Sequence, residues 1–230
     1  LMLRILLKIL LRRNLILNLY QNKLNKLNNF KNMKKLAYLN SPKLSSKEIK
    51  RLQLRDFIQN LNHLDQIWKY LKNRYGDILA VKDLRGKNKE EFSYSEFDKL
   101  ITKASHAFYN IGLRKGEVVT IISENSPRWL IADQAIMRLS AIDAVRGINS
   151  PSGELDYIIK HSKSVGLIIQ SNSIWEKLEN KQELLKDLKF LICFEDFSNN
   201  GILSWEEFLK FGNKTSSVSY KAEVDKCSTY

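Results

Sequence analysis

Cysteine is nearly missing from this chain, and its scarcity excludes two kinds of site. Cys193 and Cys227 lie 34 positions apart with no His or Cys pair at metal-ligand spacing. Neither a zinc site nor a disulfide framework is supported, and a reducing, cytoplasmic setting is expected. Glycine is also sparse: none of the nine falls in G-x-x-x-x-G-K-[ST] or G-x-G-x-x-G, which removes the usual phosphate-binding and dinucleotide-binding loops. The three histidines, His63, His106 and His161, have no nucleophile or carboxylate at a recognisable motif spacing, so they are read as ordinary helix residues rather than as acid-base catalysts. Long apolar runs are absent too. The first twenty residues carry fourteen apolar side chains, but Arg4, Lys8, Arg12 and Arg13 interrupt them well short of a membrane span, and no small-residue cleavage site follows.

Acidic residues are almost absent from one end only. Residues 1 to 50 hold twelve Lys/Arg against Glu48 alone, whereas residues 51 to 230 hold 26 basic and 24 acidic residues, a net of +2. A nearly neutral body behind a basic leader carries no basic stripe, so no nucleic-acid partner is expected. Arg4, Lys8 and Arg12 repeat every four residues and would share one helix face, leaving a Leu/Ile face for the interface of a bilayer. Residues 1–20 are therefore expected to give peripheral contact with the inner face of a membrane. A second reading stays open: residues 1–32 are not native protein, since a more ordinary sequence begins at Met33.

From Ser45 the punctuation becomes regular. Residues 1–44 are read as the basic amphipathic leader and residues 45–230 as the globular part. Ser45-x-x-Glu48 is a capping box that opens a helix to about Asn60, and a second helix runs from about Leu64 to Tyr75, stopped by Gly76. Ile78 to Asp83 and Glu91 to Tyr94 read as a small hairpin around the polar turn Arg85 to Lys89. Ser93-x-x-Glu96 caps the clearest helix, with Phe97, Ile101, Ala104 and Phe108 at helical spacing until Gly112. Beyond it, β-branched runs alternate with amphipathic helices. The strands are expected at Val118 to Ile122, Ala141 to Val145, Val165 to Ile169 and Phe190 to Phe194. The helices are expected from Ser126-Pro127 to about Ser140, from Ser150-Pro151 to His161 and from about Ser173 to Leu188. Short strands that are apolar throughout, separated by helices, indicate an α/β fold with a doubly wound parallel sheet, carrying a helical amino-terminal extension and the hairpin.

One stretch matches a calcium loop: Asp196, Ser198, Asn200, Gly201, Leu203, Ser204 and Glu207 fit its twelve positions. The flanks contradict it, because Phe190 to Phe194 reads as a strand where a helix should enter, and Ser204-x-x-Glu207 is a capping box for a helix Trp205 to Phe211 closed by Gly212. No metal site is assigned. Ligands of open parallel sheets gather beyond the carboxyl ends of the strands, so Ser123 to Ser126 and Arg146 to Ser150 are the expected edges of a site. By residue chemistry alone these are helix caps and turns, since no acid-base or nucleophile-activator pair occurs there.

The segment Gly116-Glu-Val-Val-Thr-Ile-Ile-Ser-Glu-Asn-Ser-Pro-Arg-Trp-Leu-Ile-Ala-Asp, continued through Gln134 to Gly147, resembles the amino-terminal region of adenylate-forming, AMP-binding enzymes. It is most similar to the long-chain fatty acyl synthetases. Phe92-Ser-Tyr-Ser-Glu-Phe-Asp, Asn110 to Gly116 and Glu154-Leu-Asp-Tyr-Ile-Ile-Lys-His follow the family in order, and the similarity runs from about Leu64 to Tyr230. Asp143-Ala-Val-Arg-Gly147 looks most like the cyanobacterial and plastid branch that loads acyl carrier protein. The resemblance implies the first subdomain of the family's large amino-terminal domain. It also implies ATP and magnesium as cofactors, a long-chain fatty acid as substrate, and coenzyme A or acyl carrier protein as acceptor. Such enzymes form an acyl-adenylate, release pyrophosphate and pass the acyl group to a thiol.

Asp225-Lys-Cys-Ser-Thr-Tyr230 resembles the approach to the family's ATP loop, so the sequence given is expected to be a fragment that carries no catalytic residue and is inactive by itself. Through the resemblance, Arg146 and Gly147 are the residues expected on the thiol-acceptor side, although Ile148 and Asn149 depart from the pattern. Arg128 and Trp129 match the family and read equally as packing residues of a helix start. The alternative function is a stand-alone, membrane-associated interaction module without catalysis.

Overall fold

A computed structural model describes residues 45–46, 64–84, 90–197 and 201–213. The leader 1–44, most of the helix expected from Ser45 to Asn60, the turn Arg85 to Lys89, Cys227 and the stretch Asp225 to Tyr230 lie outside the described residues. The described elements from Leu64 onward belong to one unit, Leu61–Tyr230.

A single 3-10 turn, Leu64–Gln66, leads into α1 (Ile67–Tyr75). Strands β1 (Leu79–Lys82) and β2 (Glu91–Ser93) pair antiparallel, and α2 (Tyr94–Asn110) follows. The capping box expected at Ser93 is present: the Glu96 N–H donates to Ser93 Oγ at 3.2 Å, and the Ser93 N–H donates to Glu96 Oε2 at 2.8 Å. Each bond satisfies a helix-end N–H that has no intrahelical partner. The Trp68 ring of α1 meets Phe97 at 4.6 Å and Tyr94 at 6.2 Å, which seats α1 and the hairpin on α2. Gly112, at φ +100°, ends the helix, and the Leu113 N–H reaches back to the Phe108 carbonyl. Glycine adopts that backbone without the steric penalty of a Cβ.

The remaining chain builds the parallel sheet. Its elements are β3 (Val118–Ile122), α3 (Pro127–Arg138), β4 (Ile142–Arg146), α4 (Ser152–His161), β5 (Gly166–Ile169), α5 (Asn172–Lys177), α6 (Lys181–Asp187), β6 (Phe190–Cys193), β7 (Leu203–Ser204) and α7 (Trp205–Phe211). The strand order is β4-β3-β5-β6-β7, every pair parallel. Successive residues of a strand point to opposite faces. One face presents Val119, Ile121, Ile168, Phe190 and Ile192; there the Phe108 ring of α2 touches Phe190 and the Phe208 ring of α7. The other presents Ile122, Leu167, Ile169, Leu191 and Cys193, packed with Leu155 and Ile159 of α4, Ile174 of α5 and Leu184 of α6. Helices thus cover both faces, as the uninterrupted apolar strands require.

Two expectations are corrected. The helix expected from Ser173 to Leu188 is two helices, α5 and α6, separated by Leu178 in extended backbone. At 100° per residue an unbroken helix would align Leu178 with Leu185. The break instead buries Leu184 and leaves Leu185 exposed. Asn180 Nδ2 holds it by donating to Asp156 Oδ2 at 2.8 Å, and the Ser152 hydroxyl does so by donating to Glu179 Oε1 at 2.6 Å. The second correction is β7, a two-residue edge strand beside β6 that the sequence reading did not contain.

Candidate functional site at the carboxyl ends of the strands

Because β3 sits between β4 and β5, the chain leaves it in opposite directions, and in this strand order ligands characteristically lie at the β3/β5 crevice. The two loops expected to edge a site are neighbours: the Ser123 N–H donates to the Arg146 carbonyl at 3.1 Å. Gln170, just past β5, fills the crevice, its Oε1 accepting from the Glu124 N–H at 2.8 Å. The Ser123 hydroxyl donates to the Glu124 carbonyl at 2.8 Å.

Arg146 closes β4 as a half-exposed cation. Its Nε lies 3.2 Å from Glu154 Oε1 of α4, and its Nη1 donates to the Val145 carbonyl at 2.8 Å. Gly147 is exposed, and a Cβ built on it would meet nothing within 4 Å. Ile148, by contrast, is anchored: its side chain packs against the core, and Lys177 Nζ of α5 donates to its carbonyl at 3.0 Å. The loop therefore presents an open backbone at Gly147 between a cation and a fixed apolar residue.

Arg128 is more than a helix-start packing residue. Its Nε donates to Glu90 Oε1 at 2.9 Å, its Nη1 donates to the Phe194 carbonyl, and its Nη2 lies 3.8 Å from Glu206 Oε1. It joins the hairpin, the end of β6 and α7 at one point. Trp129 is buried, its backbone N–H donating to the Ser126 hydroxyl that caps α3. Nothing in the sequence signals the Arg128 cluster, because its partners are 38 to 78 positions away.

The other sequence candidates take structural roles. Glu207 is occupied by its capping box, accepting from the Ser204 N–H and hydroxyl at 2.9 Å each, and β6 rather than a helix precedes the calcium-like stretch; Ser198 and Asn200 lie outside the described residues. His161 stacks on Tyr157 at 5.1 Å, and burial followed by the Arg138 charge lowers the pKa of His106. Burial pushes the Cys193 thiol up to about 11, so it is no nucleophile at neutral pH. A cavity of about 320 Å³ lies at the opposite, amino-terminal end of β5, between α4 and α6 and lined by Lys160, Ser164, Glu183 and Leu184.

The sequence pattern of the AMP-binding enzymes matches residues 69–225. The chain belongs to the AMP-binding enzyme family. Among curated relatives, a probable acyl-activating enzyme 16 of Arabidopsis thaliana chloroplasts is 30% identical over 156 residues, covering 64% of this chain and 22% of the relative. The Arabidopsis chloroplast long-chain-fatty-acid–[acyl-carrier-protein] ligase AEE15 is 29% identical over 126 residues, covering 55% of this chain and 17% of the relative. A human long-chain-fatty-acid–CoA ligase, ACSBG1, is 26% identical over 158 residues, covering 66% and 22%. This AMP-binding chain thus spans about a fifth of the length of these relatives. Among solved structures, a long-chain-fatty-acid-CoA ligase from Archaeoglobus fulgidus shares the fold with TM-score 0.56 at 21% identity, covering 65% of this chain and 30% of that one. An anthranilate CoA ligase, AuaEII, gives TM-score 0.58 at 18% identity, covering 64% and 27%.

AMP-binding enzymes use ATP and magnesium. Among the described residues, no group of three or more His, Cys, Asp or Glu that could hold a metal occurs. No helix among the described residues is long and apolar enough to cross a membrane.

Proposed function

We propose that this chain is a portion of an ATP-dependent long-chain fatty acid ligase. In the whole enzyme the fatty acid carboxylate attacks the α-phosphorus of ATP and expels pyrophosphate. A thiol of coenzyme A or acyl carrier protein then attacks the acyl carbon and expels AMP. A free carboxylate is a poor electrophile, and the mixed anhydride supplies the leaving group it lacks. The observation that carries this reading is the family match over residues 69–225 together with relatives that are long-chain fatty acid ligases.

Within that enzyme, residues 45–230 provide scaffold and the acceptor side, while residues 1–44 are a leader whose first twenty residues touch a membrane surface from the cytoplasmic side. The thiol approaches across Gly147, where the backbone is bare, with Arg146 as the cation for an anionic acceptor; the empty space above Gly147 supports this. ATP and magnesium bind outside this portion, which is inactive alone: the sequence contains no Ser/Thr/Gly-rich loop ending in Pro-Lys-Gly.

The test is to express the chain with its downstream coding sequence and measure fatty-acid-dependent exchange of pyrophosphate into ATP. Exchange is expected with a long-chain acid. No exchange at any chain length would overturn the ligase and favour a membrane-associated interaction module.

A further inference from the structure

The cavity of about 320 Å³ where β5 begins has room for about ten water-sized groups at ~30 Å³ each. Its apolar wall is Ile159 of α4, Val165, Leu184 of α6 and Leu188. Ile159 and Leu184 are core residues, each 3% exposed, so that wall is fixed by packing. Ser164 also lines the cavity and is 4% exposed. Its Oγ is 2.7 Å from Thr120 Oγ1 of β3 and 2.7 Å from Ser162 Oγ. The Ser162 hydroxyl donates its one proton to the Ile159 carbonyl at 3.2 Å. Ser164 must then donate to Ser162, and Thr120 to Ser164. With its proton spent, Ser164 offers a ligand one lone pair and no donor. A polar group seated against it has to bring its own proton, which suits an ammonium group and not a carboxylate.

Two pairs of charges line the same cavity, and they differ. Lys160 Nζ of α4 is taken by Glu183 Oε2 of α6 at 2.7 Å. Lys163 and Asp187 are not joined. Gly166 of β5 pairs with Phe190 of β6, and Lys163 and Asp187 each lie three positions before those paired residues, so they flank the cavity from its two neighbouring chain entries. Among the described residues, neither side chain has an ion-pair or hydrogen-bond partner. The cavity therefore carries a cation and an anion with a gap between them, an acceptor at Ser164 and an apolar wall.

We propose that this cavity binds a small aliphatic α-amino acid. The ammonium group lies between Ser164 and Asp187, the carboxylate meets Lys163, and the side chain packs on Ile159, Val165, Leu184 and Leu188. A zwitterion answers both unpaired charges at once, whereas a simple amine leaves Lys163 without a partner and a simple acid leaves Asp187 and the Ser164 lone pair without one. The volume admits a branched aliphatic side chain such as that of leucine. The site is at the opposite end of the sheet from Arg146 and Gly147, and it does not depend on the ligase assignment.

The experiment is an NMR titration of the 230-residue chain at pH 7 with L-leucine, 3-methylbutylamine and 4-methylpentanoate, which share the branched chain and differ in charge. L-leucine is expected to shift the amides of Lys163 to Val165 and Glu183 to Leu188 saturably in the millimolar range. Ion pairs at an open site are weak, so the amine and the acid should each bind about fivefold less tightly. Lys163→Met should weaken leucine and leave the amine unchanged, and Asp187→Asn should weaken leucine and leave the acid unchanged; both positions are exposed. No saturable shift at these amides by about 50 mM leucine would overturn the proposal. So would amine or acid binding as tightly as leucine, or leucine binding that neither substitution alters.

Discussion

The ring of Phe190 lies over the backbone of Gly166, its directly paired neighbour across β5 and β6. A Cβ at position 166 would overlap the ring, which is itself held by Phe108 at 5.7 Å. The strand therefore tolerates glycine because the aromatic ring supplies the missing packing. Gly166→Ala is expected to destabilise the fold by about 1–3 kcal/mol through overpacking, measured by urea denaturation. Phe190→Leu combined with Gly166→Ala should recover part of that loss, and simple additivity would contradict the packing argument.

Asp98 is the buried member of an ionic group, 2.5 Å from Arg138 and 3.2 Å from Lys72. Arg138 is nearly as enclosed, whereas the Lys72 side chain is 38% exposed. Removing Asp98 strands a buried guanidinium, so Asp98→Ala should cost about 3 kcal/mol or more. Lys72→Ala should cost under about 1 kcal/mol. Equal effects in thermal unfolding would show that the group is not organised around Arg138.

Lys163 follows α4 with φ +53°, and the Ser164 N–H reaches back to the Ile159 carbonyl. This is the left-handed helix stop that glycine occupies most easily. Relief of about 1–2 kcal/mol of strain, offset by about 0.4–1 kcal/mol of added unfolded-chain entropy, makes Lys163→Gly stabilising by about 0.5–1 kcal/mol. Chemical denaturation checks the sign.

The Glu207 carboxyl is held below its ordinary value, chiefly by the Ser204 N–H that it accepts and then by the Ser204 hydroxyl. A lowered folded pKa means its contribution is complete above the ordinary value near 4.5 and disappears as pH falls through the lower folded one. Stability of Glu207→Gln should consequently converge on wild type in acid and fall behind it above about pH 5. Parallel curves from pH 3 to 7 would remove the capping box from the account. Ser204→Ala should cost about 1 kcal/mol at pH 7.

Gly147→Trp fills open space and should leave the fold intact. On the proposed acceptor route across Gly147, the longer protein carrying this change should preserve pyrophosphate exchange while slowing thioester formation at least tenfold. Equal loss of both steps would move the acceptor away from this loop.

The helix starts at Ser93, Ser126 and Ser204 were legible because a cap acts within three residues, and the β-branched runs marked β3 and β5 by local composition. Of the candidate site, the loop positions could be read from strand ends, but not their joining through Ser123 and Arg146. The split between α5 and α6 was not legible, since its causes, Asp156 and Ser152, lie on α4. β7 was too short to show any periodicity.

The sequence alone determined the family, the alternation of strands with helices and the caps that bound them, because these rest on neighbours a few positions apart and on ordered motif strings. Tertiary structure decided which strands are edges, which of Leu184 and Leu185 is buried, and that Arg128 ties three elements together. Those outcomes depend on distances between residues far apart in the chain, and only the packing of the sheet sets them.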